Sequence, residues 1–479
     1  MVVFKISQKT KYSLSVIWIG LATLTTFCLG VYNPNKKPPH PHIIVVTLRD
    51  MGWDDVSFHG NPEIPTPNID RIANHGVILQ QYYTTPNCED SVSSYRTGKH
   101  PIHYKKSMES GENARVTYDI WNYLDIQSYV IREVGLIDCK DTDIPFYPWD
   151  VIQKAENVLK QQDQIYSLFL QVNFPQLHAD YPEQIPDEYL TRAKNIPFEA
   201  RKIYAGMIMQ LDRAVGHLVR ILYDTGILHD AILIFTTLTG GTKGNNFYTW
   251  PSTYPFRGGN GTLWEGGSRA LGFVYSNRIA RRGRVSYGLV HINDWLPTIF
   301  RLAGGNPDHV VESDGMDVWD SINNDDYSPR MEILYGINGN KAAVRVGDFK
   351  LITGESYVPL SPRPLAKGEL DNLIKPITVW DSELECADYP DAIGCWPDIE
   401  PCLFNVRFDP CERNNVAYYM PQTVEALTYT LNKYNTSAVY RDKRSLEEWD
   451  NTYKDLSLKL TLIKLEKSRK TLDRSKIGV

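Results

Sequence analysis

Four apolar runs of strand length, separated by helix signals, constrain this chain more than any other feature. His42-Ile43-Ile44-Val45-Val46-Thr47-Leu48 is continuous rather than alternating, so it needs cover on both faces, as a strand inside a parallel sheet has. Comparable runs recur at Leu168–Val172, Ala231–Thr237 and Ala270–Tyr275. Thr66-Pro67 opens a helix, with Thr as N-cap and Pro in the first turn; it carries Ile69, Ile72 and Ala73 and stops at Gly76. Between the second and third runs, Tyr204, Ile208, Leu211, Val215, Leu218 and Leu222 fall at steps of three and four, an amphipathic helix. Strands alternating with helices predict an α/β sheet with helices on both faces. With 479 residues, 42% hydrophobic and 23% charged, the chain can fill such a core, and a net charge of −6 lacks the basic footprint of a nucleic-acid binder.

The ends differ from this body, which is taken as residues 42–340. From residue 341 to 479 the texture changes: Ala342–Leu351 reads as one hairpin arm, and the Cys- and Pro-rich stretch after it predicts a smaller antiparallel subdomain with a basic tail after Tyr453. At the other end, Lys5, Lys9 and Lys11 precede an uncharged stretch from Tyr12 to Tyr32, with Cys28 and Gly30 as small residues for a cut after Gly30. Residues 1–32 therefore read as a cleaved signal peptide, an uncleaved anchor long enough to span a bilayer, or a buried core helix. Either of the first two sends the chain into the secretory pathway, to a lysosomal or extracellular destination, with membrane attachment only if the anchor stays. Residues 33–41, rich in proline, form a linker. Four of the six cysteines beyond the leader lie within residues 386–411, which predicts local disulfide staples; with no CxxC pair there, the cluster lacks metal-ligand spacing. Sequons at Asn260-Gly261-Thr262 and Asn435-Thr436-Ser437 are glycosylation candidates.

In α/β sheets chemistry sits at the carboxyl ends of strands, so the loops after the apolar runs matter most. They read Thr47-Leu48-Arg49-Asp50-Met51-Gly52-Trp53-Asp54-Asp55-Val56, ending in Phe58-His59-Gly60; Tyr82-Tyr83-Thr84-Thr85-Pro86-Asn87-Cys88-Glu89-Asp90-Ser91-Val92; Phe235-Thr236-Thr237-Leu238-Thr239-Gly240-Gly241; Leu263-Trp264-Glu265-Gly266-Gly267; and His291-Ile292-Asn293-Asp294-Trp295. In this order they resemble the type I sulfatases, most closely the arylsulfatase B group, over roughly residues 40–350, with weaker echoes at Gly347–Leu351 and Pro401–Phe404. The resemblance implies an alkaline-phosphatase-like fold: a mixed, mostly parallel sheet flanked by helices, with a smaller C-terminal α+β subdomain built on an antiparallel sheet. It also implies calcium-dependent hydrolysis of sulfate esters on sulfated sugars or glycosaminoglycans, with a formylglycine made from cysteine as nucleophile.

Taken residue by residue, this sequence departs from that pattern. Cys88 stands at the nucleophile position and Ser91 matches, but Asp90 replaces the motif's Pro and Val92 its Arg, so conversion to formylglycine is not expected. A buried or disulfide-bonded Cys88 is the favoured alternative. Of the calcium ligands only Asp50 is retained; Arg49, Leu238 and Thr239 replace the others, and one carboxylate beside a fixed positive charge does not hold calcium. The Arg49 guanidinium either substitutes for the ion, pairing with Asp50, or both are solvated loop charges. In the sulfate cradle Leu136 and Asp138 replace Lys and His, and Asn260 replaces a cleft Lys; His178 keeps its family position. A glycan on Asn260 would obstruct the cleft, which ranks Asn435 above it as the glycosylated site. Three readings follow: a non-catalytic family member that binds a sulfated glycan or other carbohydrate, an active calcium-dependent arylsulfatase, or a superfamily hydrolase using another nucleophile.

Overall fold

The computed structural model describes residues 38–104, 124, 129–135, 139, 147–163, 165–174, 177, 185–241, 251–310, 313–360, 382–390 and 392–439. Among them the strands are β1 (His42–Leu48), β2 (Val77–Leu79), β3 (Tyr82–Tyr83), β4 (Val130–Val134), β5 (Leu168–Asn173), β6 (Ala231–Thr237), β7 (Gly272–Tyr275), β8 (Arg284–Ser286), β9 (Val290–His291), β10 (Glu332–Asn338), β11 (Lys341–Val346), β12 (Phe349–Thr353) and β13 (Cys402–Asn405). The principal helices are α1 (Pro67–His75), α2 (Cys88–Thr97), α3 (Pro148–Gln161), α4 (Glu199–Asp224), α5 (Trp295–Leu302) and α6 (Pro421–Ser437).

Seven strands form one sheet in the order β4-β5-β1-β6-β7-β2-β8. The centre is parallel: β1 lies between β5 and β6, with Leu48 opposite Thr237. The run at Ala270–Tyr275 supplies β7, which is antiparallel to both β6 and β2. As the continuous apolar pattern requires, β1 is buried on both faces. Ile44, Val46 and Leu48 join the core that packs α1, α3 and α4, while Ile43 and Val45 face the core built around Tyr82, Trp295 and Leu296 of the α5 side. The apolar stripe of α4 is buried as its spacing predicts, and α1 ends before Gly76.

A second, four-stranded antiparallel sheet runs β10-β11-β12-β13 and carries α6 on one face. It begins at Glu332, ahead of residue 341. Ala342–Leu351, expected to be one hairpin arm, forms both arms: the chain turns at Gly347-Asp348, where Gly347 takes φ 56°. Two local disulfides, Cys386–Cys411 and Cys395–Cys402, staple this region as the cysteine spacing suggests. The basic tail after Tyr453 and the apolar leader lie outside the described residues. Among the described residues, no helix is long and apolar enough to cross a membrane.

A buried charge cluster ties the four-stranded sheet to β3 and to the segment that begins at Glu265. Lys350 on β12 places its Nζ 3.1 Å from Glu265 Oε1 and 2.7 Å from Glu412 Oε1, with all three side chains wholly buried. Tyr83 and Tyr335 donate their hydroxyls to Glu265. Burial works against the ionised form of Glu265, but Lys350, Arg269 and Arg345 outweigh it and hold the carboxyl below the usual range, whereas burial pushes Glu412 up. Removing the ammonium leaves two carboxyls in a dry interior. Lys350→Met is therefore expected to lower unfolding free energy by about 3–5 kcal/mol in urea denaturation, as breaking buried ion pairs does. A midpoint unchanged from the parent would contradict the shared-ammonium account.

Candidate functional site

Parallel pairing of β1 and β6 brings their following loops side by side, and Leu238 N–H donates to Leu48 O at 2.9 Å. Arg49-Asp50 and Leu238-Thr239 are thereby adjacent, as the topology demands. Asp50 adopts a left-handed conformation with φ 56° and is 1% exposed. Its Oδ1 accepts from Thr239 Oγ1 at 3.4 Å and Asn260 Nδ2 at 3.3 Å, and its Oδ2 lies 3.5 Å from the Arg49 guanidinium. Arg49 is itself buried, so the picture of solvated loop charges does not hold; the two form a buried pair.

These residues do not fit a calcium ion. Calcium takes six to eight oxygen ligands, roughly, and needs lone pairs turned toward it. Here Leu238 is part of the apolar core, while the Thr239 hydroxyl and the Asn260 amide both donate to the one carboxylate. The nearby Asp55 is spoken for: it accepts from Arg201, Tyr204 and the amides of Gly52 and Ser252. Asp54 accepts from Ser252 Oγ. Among the described residues, no group of three or more His, Cys, Asp or Glu side chains is placed to hold a metal ion.

The loop carrying Asn260 also reaches the cysteine helix, since Gly261 N–H donates to Pro86 O at 2.9 Å. Cys88 is the first residue of α2, buried, and bonded through its sulfur to Cys139. Ser91 turns inward to Thr85, with Oγ 2.7 Å from Thr85 Oγ1. Asp90 accepts from Tyr104 and Asn87 on the helix surface, and Val92 packs against the apolar core. Leu136, Asp138 and His178 lie outside the described residues. Asn435, the preferred sequon, lies on the inner face of α6, is buried, and its Oδ1 has no hydrogen-bond partner. Exposure therefore gives its ranking above Asn260 no support.

Sequence reasoning missed the ion cluster behind this site. Arg201 pairs with Asp55 at 2.6 Å and Glu63 at 2.9 Å, all buried. A signal was present, because Arg201 sits one turn ahead of Tyr204 on the apolar stripe of α4, where a charge needs a partner.

A sulfatase family model matches residues 41–129 and 141–305, more than half of the chain and the whole set of loops just described. The chain belongs to the sulfatase family. It is 29% identical to mouse arylsulfatase J over 479 residues, covering 83% of this chain and 76% of that protein. Identity to the canine N-acetylgalactosamine-6-sulfatase is 23%, over 70% of this chain and 75% of that one. Two solved structures share the fold: Ps i-CgsB in complex with k-i-k-neocarrahexaose (TM-score 0.65, 18% identity, 86% of this chain and 97% of that one) and the PsFucS1 sulfatase from Pseudoalteromonas sp. (0.57, 19%, 84% and 92%). The expected alkaline-phosphatase-like architecture is thus the observed one.

The Arg49–Asp50 geometry makes a direct prediction for this sulfatase-family chain. Binding to the folded state alone raises the melting temperature by mass action. Millimolar calcium should leave the melting curve where chelator leaves it; a calcium-dependent rise that Asp50→Ala abolishes would show that the site holds the ion after all.

Proposed function

We propose that this chain is a non-catalytic sulfatase-family protein that keeps the fold to bind a sulfated glycan. The observation that carries the reading is the Cys88–Cys139 bond. The family's nucleophile is an aldehyde hydrate made from a free cysteine, and a sulfur held in a disulfide presents neither a thiol for conversion nor a hydroxyl for attack on sulfur. The replacement of Pro and Arg by Asp90 and Val92, and the presence of the Arg49 guanidinium beside the Asp50 carboxylate with donors from Thr239 and Asn260, support the same conclusion. Without calcium to polarise the nucleophile and a lysine at position 260 to balance developing charge, transition-state stabilisation is missing at several points.

A sulfated carbohydrate is the ligand class we infer, from family membership and from relatives named as sulfatases of N-acetylgalactosamine. The overall charge of −6 speaks against nucleic acid. Three disulfides among the described residues suit an oxidising compartment, so we place the protein in the secretory pathway, lysosomal or extracellular. Attachment to a membrane would rest wholly on an uncleaved leader.

Turnover tests the reading. The purified chain should release no sulfate from aryl sulfates or sulfated hexosamines above background. Residues acting as a unit are non-additive, so Asp90→Pro with Val92→Arg should restore nothing while Arg49, Leu238, Thr239 and Asn260 remain. Saturable sulfate release by the unmodified chain, lost on Cys88→Ala, would establish the active arylsulfatase instead.

A further inference from the structure

The loop that delivers Asn260 to Asp50 also carries Arg257, and Arg257 begins a ladder of flat groups that runs outward to the surface. Its guanidinium carbon lies 4.9 Å from the Trp264 ring centroid and 5.2 Å from that of Tyr357. Arg257 is buried and its Nε has no hydrogen-bond partner, so its charge is satisfied in part by the two ring faces. Trp264 is fixed from behind, its Nε1–H donating to Ser356 O at 3.0 Å. Tyr357 in turn stacks on Trp396, with centroids 6.5 Å apart and planes 26° from parallel. Tyr357 and Trp396 are each 50% exposed.

Three local features hold Trp396 in place. The Cys395–Cys402 disulfide closes the loop that begins beside it. Ile399 and Glu400 N–H both donate to its carbonyl, and Gly354 N–H donates to Pro397 O, tying the loop to the end of β12. Gly394 lets the indole lie against the backbone, since a Cβ there would stand 2.7 Å from the ring. An isolated exposed aromatic needs no explanation. Two half-exposed rings held nearly parallel by a disulfide loop and a buried arginine form a platform whose ordering entropy is met on folding.

We propose that Tyr357 and Trp396 form a stacking subsite for an uncharged pyranose ring of a glycan chain, backed by Arg257 of the segment that also carries Asn260. The inference rests on the glycan-binding reading above and adds to it where a second sugar residue sits. Flat apolar faces suit the C–H face of a sugar ring, with its hydroxyls left at the edge to water. The exposed charges beside Trp396 are acidic, Asp398 and Glu400, which disfavours a sulfated ring at this position and selects a neutral one.

Calorimetric titration of the full chain with a carrageenan hexaose and with its chemically desulfated counterpart separates the possibilities. Both should bind, and Trp396→Ala should weaken both by about tenfold at an unchanged melting temperature; Tyr357→Ala should weaken both as much, with a lower melting temperature because Arg257 loses one of its ring faces. Trp396→Phe, which keeps a ring face, should retain most of the affinity and so distinguishes lost stacking from lost folding. Parent-like affinity in both alanine variants, or no binding of either hexaose by the parent, overturns the subsite. If the sulfated hexaose binds more tightly than the neutral one but ignores both substitutions, the platform fails and the sulfated-glycan reading stands. If the neutral hexaose binds as well as the sulfated one and loses affinity in Trp396→Ala, the platform stands and the preference for sulfate fails.

Discussion

The carboxylate of Asp50, buried at the carboxyl end of the central strand, has to be matched by positive charge or hydrogen-bond donors, and the loops around it are arranged by that need. In this chain the protein supplies much of the match, although Oδ2 has the guanidinium only at ion-pair distance and accepts no hydrogen bond. Arg49 brings the charge, Thr239 and Asn260 bring donors, and the left-handed turn at Asp50 points its carboxylate at all three. A guanidinium on the preceding residue is covalently present in every copy and needs no ion from solvent. The Thr239 hydroxyl and the Asn260 amide turn donors toward Asp50, where a calcium ion would require oxygen lone pairs.

Two further buried clusters tie this loop to the rest of the molecule. Behind it, Arg201 bridges Asp55 and Glu63, and Tyr204 donates to both Asp55 and the Asp50 carbonyl, locking α4 against the end of β1. To the side, Lys350 on β12 holds Glu265 and Glu412, which fixes the end of the segment that carries Asn260. Buried ion pairs are weak evidence for stability as such, but they are demanding in geometry, because each partner is costly alone. Their effect here is positional: they set where Asn260 and the aromatic ladder can be.

The parts of the fold that were legible in the sequence are those buried on both faces or strongly periodic. β1, β5, β6, α1 and α4 each carry enough apolar residues in one pattern to declare themselves. β2 and β8, of three residues each, carry no pattern of their own; their pairing comes from neighbours distant in sequence. The hairpin at Gly347-Asp348 is hidden because Ala342–Leu351 is apolar on both sides of a two-residue turn that lacks the commonest turn pair. In the site, the meeting of Arg49, Asp50, Thr239 and Asn260 follows from strand adjacency plus motif order. The Cys88 partner did not emerge from spacing, since 51 residues separate it from Cys139, although four of the other cysteines pair among themselves. Asn435 shows the opposite failure: a sequon marks residue types, and only the packing of α6 reveals that the side chain faces inward.

The sulfur of Cys88 is held in a bond to Cys139, which leaves no free thiol at the family's nucleophile position. Peptide mass spectrometry of the chain made in a secretory host, digested without reduction, reads this directly. The account predicts a Cys88 peptide cross-linked to the Cys139 peptide, separating into two unmodified cysteine peptides on reduction. A Cys88 peptide recovered uncross-linked and carrying the aldehyde of formylglycine would contradict it.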